Sequence, residues 1–215
     1  MGSCIIVGAG DFTVSPPGKK EGDLWIAADG GYLYCRIMEI EPDLFLGDMD
    51  SLEENLREEI LQRQQSDDGH IIILPEEKDD TDMMAAIRIG LERGYREFYL
   101  YGAMGGRIEH SMANIQCLHY LKNCGAKGYI MDGNTMLTVI KDETVEFQPS
   151  MEGYLSVFAL EELAVGVTIE GLKYPLSHAE LKNDYPLGIS NEFMGKKSSV
   201  SVEKGTLLLV VTWPE

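Results

Sequence analysis

The sequence predicts an α/β N-terminal domain with a mostly parallel sheet and flanking helices, followed by a smaller C-terminal antiparallel β-sandwich. Its first two thirds alternate short, continuous apolar runs with helix-length amphipathic stretches, whereas the last third holds only short β-like segments divided by turn residues. The pattern changes near residue 140, which places the domains at 1–140 and 141–215.

The apolar runs come in order. Cys4 to Val7 ends in Gly8-Ala9-Gly10-Asp11, and Leu24 to Ala28 ends in Asp29-Gly30-Gly31. Asp43 to Leu46 runs into Gly47-Asp48-Met49-Asp50-Ser51, and His70 to Leu74 into Pro75 and an acidic loop. Phe98 to Tyr101 meets Gly102 to Arg107, and Tyr129 to Met131 meets Asp132-Gly133-Asn134. Runs of this kind, bounded by turn residues, are parallel strands buried on both faces. Helices are expected over Thr81–Arg93, on Met84, Ile87, Ile89 and Leu91, and over Ser111–Leu121, on Met112, Ile115, Leu118 and Leu121. Leu52–Gln65, charged and Gln-rich, reads as an exposed helix. Beyond Thr144, strands are expected at Thr144–Phe147, Tyr154–Ala159, Val165–Ile169, Ser198–Val202 and Leu207–Val211.

Composition narrows the chemistry. A formal net charge of −18 excludes a nucleic-acid footprint, and an acidic protein that binds an anion needs a metal ion or a local cation between them. No apolar run reaches a membrane span, and the opening residues lack the basic flank of a signal peptide. Cys4, Cys35, Cys117 and Cys124 form no CxxC pair and read as small buried apolar residues in a reducing cytoplasm.

Ligands of open α/β sheets bind beyond the carboxyl ends of the strands, and almost every acidic or glycine-rich cluster here follows a strand. Asp48 and Asp50 are hard oxygen donors that suit magnesium; Asp50 or Ser51 capping the next helix is the alternative. In Lys78-Asp79-Asp80-Thr81-Asp82, Asp80 reads as a solvated loop residue. Asp79 or Thr81 opens a helix whose free N–H groups suit a phosphate, Lys78 adds a positive contact, and Asp82 faces a metal. Gly102 to Gly106 permits close backbone approach to phosphate, and Arg107 offers a bidentate guanidinium. There is no Walker A lysine, and Gly8-Ala9-Gly10 does not complete a dinucleotide fingerprint because Thr13 stands at its last position. His110 is either a base or a helix-start cap; His70, His119 and His178 have no partner at a useful spacing.

Taken together and in order, these segments resemble the thiamine pyrophosphokinase family. They are Ala28-Asp29-Gly30-Gly31, Gly47 to Ser51, Lys78 to Asp82, Gly105 to His110 with Asn114, Asp132-Gly133-Asn134, and Gly188-Ile189-Ser190-Asn191. The resemblance implies an ATP- and Mg2+-binding N-terminal domain, a thiamine-binding C-terminal domain, and a cytoplasmic homodimer with sites at its interface. It implies Asp48, Asp50 and Asp82 as metal ligands and catalytic residues, with Asp29 close by and Arg107 on the phosphates. It further implies Gly30, Lys78, Asp79, Thr81, Gly105, Gly106, Glu109 and His110 on the nucleotide, and Ser190 and Asn191 on thiamine. The implied reaction moves pyrophosphate from Mg-ATP to the thiamine hydroxyl, giving thiamine diphosphate and AMP. The rivals are a pyrophosphokinase for another alcohol, such as a hydroxymethylpterin, and a sensor without turnover. Two departures stand out: Glu109 where the family usually has Asp, and Leu207-Leu208-Leu209 where eukaryotic members carry a Trp that stacks on thiamine.

Overall fold

The computed structural model describes residues 2–47, 54–65, 71–73 and 80–214. The chain divides into two compact units, Met1–Gly133 and Asn134–Glu215. This boundary falls earlier than residue 140 because Thr135–Lys141 is a strand that pairs along its whole length with Thr206–Thr212.

In the first unit the strands are β1 (Cys4–Val7), β2 (Leu24–Ala28), β3 (Leu44–Gly47), β4 (Ile71–Ile73), β5 (Glu97–Tyr101) and β6 (Lys127–Asp132). They lie in the order β6-β5-β1-β2-β3-β4, and every pair among them is parallel. The chain runs outward from β1 to β4 and then returns to β5 on the other side of β1. The strand order therefore reverses between β1 and β5, which is where an open sheet leaves a crevice.

Among the described residues four helices flank the sheet: α1 (Gly31–Ile37), α2 (Glu54–Gln65), α3 (Asp82–Glu92) and α4 (Ile108–Asn123). Tyr32 and Cys35 of α1 and Leu56 and Ile60 of α2 share a core with Val7, Trp25, Ala27 and Phe45. Helix α3 buries Met83, Ala86, Ile87 and Gly90, and α4 buries Asn114, Cys117, Leu118 and Leu121. Both stripes follow the i, i+3, i+4, i+7 pattern, and each fully buried large side chain contributes about 1.5–3 kcal/mol. The stripes differ from those expected. Met112 is 58% exposed, and its place on the inner face is taken by Asn114 and Cys117.

Helix α1 was not anticipated. It is seven residues long, has no side-chain cap, and begins on a glycine that touches the sheet, since a Cβ at Gly31 would collide with the Val7 carbonyl. Three of the cysteines are buried, as expected, but Cys124 is exposed at the end of α4. Burial pushes the Cys35 and Cys117 thiols up to about 12 and about 11, so neither supplies a thiolate near neutral pH.

The second unit is an antiparallel sandwich, as the sequence predicts. One sheet holds β7 (Thr135–Lys141), β14 (Thr206–Thr212), β9 (Tyr154–Ala159) and β12 (Gly188–Glu192). The other holds β8 (Thr144–Phe147), β13 (Ser198–Ser201), β10 (Leu163–Glu170) and β11 (Leu176–Lys182). Leu155, Val157, Leu207, Leu209 and Val211 from the first meet Phe147, Val167, Ile169, Leu181 and Val200 from the second in one core. Strands β7, β11 and β12 were not expected from sequence. His178, expected to lack a partner, meets Glu203 at 2.9 Å.

Candidate active site

The loops after β1 and β5 are joined by main-chain hydrogen bonds at the reversal of strand order. Gly8 N–H donates to the Tyr101 carbonyl, Gly10 N–H to the Gly102 carbonyl, and Asp11 N–H to the Met104 carbonyl, each at 2.8 Å. Gly102 has φ +57, a left-handed conformation that an L side chain adopts only with strain. A Cβ there would also lie 2.5 Å from the Gly8 carbonyl oxygen. The two backbones thus approach each other with no side chain between them.

Above this floor opens a cavity of about 680 Å³. That volume lies within the usual range for a small-molecule site. Gly8, Ala9 and Gly10 line it from the β1 loop, and Ala28 and Asp29 from the end of β2. The start of α3 contributes Asp80, Thr81, Asp82 and Met83. The β5 loop and the start of α4 contribute Gly102, Ala103 and Gly105 to Arg107, with His110 and Asn114. All belong to the first unit.

Two helix N-termini open onto the cavity. Thr81 caps α3 in an extended conformation, its Oγ1 accepting from Met84 N–H at 3.2 Å. Arg107 stands at the N-cap of α4 without a side-chain cap, its carbonyl accepting from the His110 N–H at 3.1 Å, so no side chain of the N-cap residue covers the positive end of that helix. Asn114 fixes the preceding loop from below: its buried Nδ2 donates to the Ala103 carbonyl at 2.6 Å. Asn114→Ala leaves that buried carbonyl unpaired and is expected to lower stability by about 2 kcal/mol, read as a shift in the denaturant midpoint.

Asp29 sits where β2 ends, with φ +49, its N–H held by the Leu46 carbonyl at 2.8 Å. Its Oδ1 is shut off from solvent and has no hydrogen-bond partner among the described residues. A buried carboxylate oxygen left in this state is what a cation site presents before the cation arrives. The carboxylates lining the cavity, Asp29, Asp80 and Asp82, offer oxygen donors, as a hard divalent ion prefers. Among the described residues, no three His, Cys, Asp or Glu side chains come together closely enough to hold a metal ion by themselves.

Asp29, Thr81, Asp82, Gly105, Gly106, Arg107 and His110 are therefore brought together on one cavity. Gly30 is the N-cap residue of α1, next to Asp29 and outside the lining. Glu109 also lies outside the lining; exposed, it accepts from Arg107 Nε at 2.6 Å. Its own backbone N–H, and then the Arg107 guanidinium, lower its carboxyl pKa. Asp48, Asp50, Lys78 and Asp79 lie outside the described residues. Gly47, just before Asp48, packs on Asp29, for a Cβ added to it would stand 3.0 Å from the Asp29 Cα.

Asp80, read from sequence as a solvated loop residue, stands just before α3 with its side chain 38% exposed; it lines the cavity and pairs with Arg88 at 2.7 Å. Ser190 and Asn191 are not among the lining residues; they belong to β12 of the second unit. Ser190 is exposed with φ +55, whereas Asn191 is only 3% exposed.

The geometry presents a glycine floor, two helix N-termini, one guanidinium and several carboxylates. It suits a polyanion carried with a divalent cation. Residues 19–130 match the thiamin pyrophosphokinase catalytic domain, and residues 139–207 match the thiamin pyrophosphokinase vitamin B1 binding domain. A thiamine pyrophosphokinase of Bacillus subtilis is 27% identical over 191 residues, covering 88% of this chain and 87% of that protein. The crystal structure of thiamine pyrophosphokinase from Bacillus subtilis superposes with a TM-score of 0.88 at 26% identity, over 99% of this chain and all of the other. That of thiamin pyrophosphokinase from Geobacillus thermodenitrificans gives 0.81 at 29% identity, over 99% and 98%. Cavity, sandwich and both domain matches lead to one assignment: the chain belongs to the thiamin pyrophosphokinase family.

Proposed function

We propose that this enzyme transfers the terminal pyrophosphoryl group of Mg-ATP to the hydroxyl of thiamine, releasing AMP and thiamine diphosphate. The observation that carries the reading is the cavity at the strand-order reversal, where phosphate-binding backbone and carboxylates meet. The thiamine hydroxyl oxygen forms a bond to the β-phosphorus while the bond from that phosphorus to the α,β-bridging oxygen breaks. AMP leaves with the bridging oxygen, and the hydroxyl proton departs to a cavity carboxylate. Such transfers depend on alignment and charge neutralisation more than on covalent help from the protein.

The positive ends of α3 and α4 and the backbone of Gly105 and Gly106 face phosphate oxygens. Arg107 stabilises the charge that develops on them. Asp29 and Asp82, with Asp48 and Asp50 as the further expected ligands, would hold Mg2+, which would supply polarisation of the phosphoryl oxygens. Thr81, Asp79, Lys78 and His110 lie on the nucleotide side, with Glu109 steering Arg107. The second unit holds thiamine through the strand that carries Ser190 and Asn191.

No helix among the described residues is long and apolar enough to cross a membrane. We place the reaction in the cytoplasm, the compartment of ATP and of reduced thiols, and assign the working form to a homodimer. Ile108 and Met112, 77% and 58% exposed beside the cavity, supply apolar surface for association. Light scattering should give twice the chain mass; a monomer at working concentration overturns that assignment.

The test is nucleotide release with purified protein, ATP, Mg2+ and thiamine. AMP and thiamine diphosphate are expected in equal amounts. Formation of ADP, or AMP release only with a hydroxymethylpterin, excludes the reading. Binding without any turnover makes the protein a sensor.

A further inference from the structure

Asn191 engages both ends of its side-chain amide with one neighbour, while Oδ1 also accepts from the Glu192 N–H at 3.0 Å. Oδ1 accepts from the Tyr174 N–H at 2.8 Å, and Nδ2 donates to the Tyr174 carbonyl at 2.7 Å. A buried amide that pairs both ends with one residue's main chain replaces a rung of a β-ladder. The flanking pairs confirm the register: Lys173 N–H donates to the Glu192 carbonyl at 3.1 Å, and Leu172 bridges Phe193. Tyr174 is thereby fixed opposite Asn191, one position from Ser190.

The two residues beside this clamp are exposed, and one is strained. Ser190 holds φ +55 at a register shift between Gly188 and Asn191, its N–H tied to Ser156 Oγ at 3.0 Å. A serine kept in the left-handed region by its surroundings is a recurrent mark of a binding position. Tyr174 is 57% exposed although its backbone is pinned on both sides. Its ring already faces a cation: Lys173 Nζ stands 5.5 Å from the centroid, with its charge shared by Glu192 at 2.8 Å.

We infer that Asn191 is a positioning residue that acts through Tyr174, and that the Tyr174 ring is the aromatic wall for a flat, cationic heteroaromatic ring. This rests on the proposed function, in which the acceptor is thiamine with its thiazolium. Exposed aromatic faces bind such cations, and rigid mounting avoids an ordering cost on binding.

The test is calorimetric titration of thiamine into the full-length protein, alongside the KM values of both substrates. Tyr174→Ala should weaken thiamine binding and raise its KM by about tenfold, leaving the KM for Mg-ATP and the melting temperature unchanged. Tyr174→Phe should restore wild-type values, because the ring and not the hydroxyl is used. Asn191→Ala should weaken thiamine binding alone but add nothing in the Tyr174→Ala background; a direct contact from Asn191 gives losses that multiply. If Asn191→Ala does not fold, Asn191→Asp, which keeps the acceptor and loses the donor, takes its place. Thiamine binding by Tyr174→Ala within twofold of wild type overturns the inference while leaving the proposed function standing. A wild-type protein that neither binds thiamine nor releases AMP with it sinks both.

Discussion

Arg107→Ala is expected to lower kcat for AMP release by about 10²- to 10³-fold while leaving the melting temperature within about 2 °C. The two halves of that expectation have separate causes. The side chain is 74% exposed, its ion pair with Glu109 stands in solvent, and it makes no capping bond to α4, so the fold asks little of it. The chemistry asks a great deal, because it is the only guanidinium among the described residues that line the cavity. Arg107→Lys should recover part of the loss, since an ammonium brings the charge without the two-pronged geometry. Steady-state AMP release and thermal melts check both halves, and a near-normal kcat removes Arg107 from the mechanism.

Asp29→Asn should move activity and stability in opposite directions. Oδ1 of Asp29 is buried with no hydrogen-bond partner among the described residues. A buried polar group in that condition costs about 1–3 kcal/mol, more when charged. Asparagine keeps the size and tolerates φ +49 but brings no charge. The metal-free variant is expected to melt about 2–4 °C above the metal-free wild type. Its AMP release should fall by about a hundredfold or more, as for loss of one electrostatic catalytic group. Addition of Mg2+ should raise the melting temperature of the wild type and leave that of the variant where it was, because only a state that binds the ion gains from it. A variant that is as active as wild type and less stable makes Asp29 a structural residue.

The parallel sheet was legible because strands covered on both faces are written as unbroken apolar runs, and the burial of β1, β2 and β3 is complete along their length. The edge strands carry no such signature. Of β11 only Leu181 is fully buried, and its pairing with β10 is interrupted by register shifts. Strand β12 is a short edge with a shift of its own. Helix α1 hides for another reason, being too short for periodicity and opening on a glycine chosen for clearance. On the helix faces Ile87, Leu118 and Leu121 are buried as their spacing predicts, whereas the remaining inner positions go to residues that apolar content does not mark, such as Gly90 and Asn114.

The candidate site was legible by position more than by motif. Clusters that are individually weak gained meaning from lying after strands, and Asp29, Asp82 and Arg107 do share one cavity. What sequence could not supply was the use of a side chain that hydrogen bonds decide. Asn191, expected in contact with thiamine, has both ends of its amide engaged with Tyr174, and Asp80 pairs with Arg88.

The glycine-to-glycine ladder beneath the cavity has a bearing on inhibition. A compound that gripped the floor would hold main-chain atoms, which stay the same whatever codon is altered. Resistance would then have to arise by enlarging Gly8, Gly10 or Gly102, where an added methyl group strikes a carbonyl of the facing loop. Escape and integrity of the enzyme are opposed at those three positions.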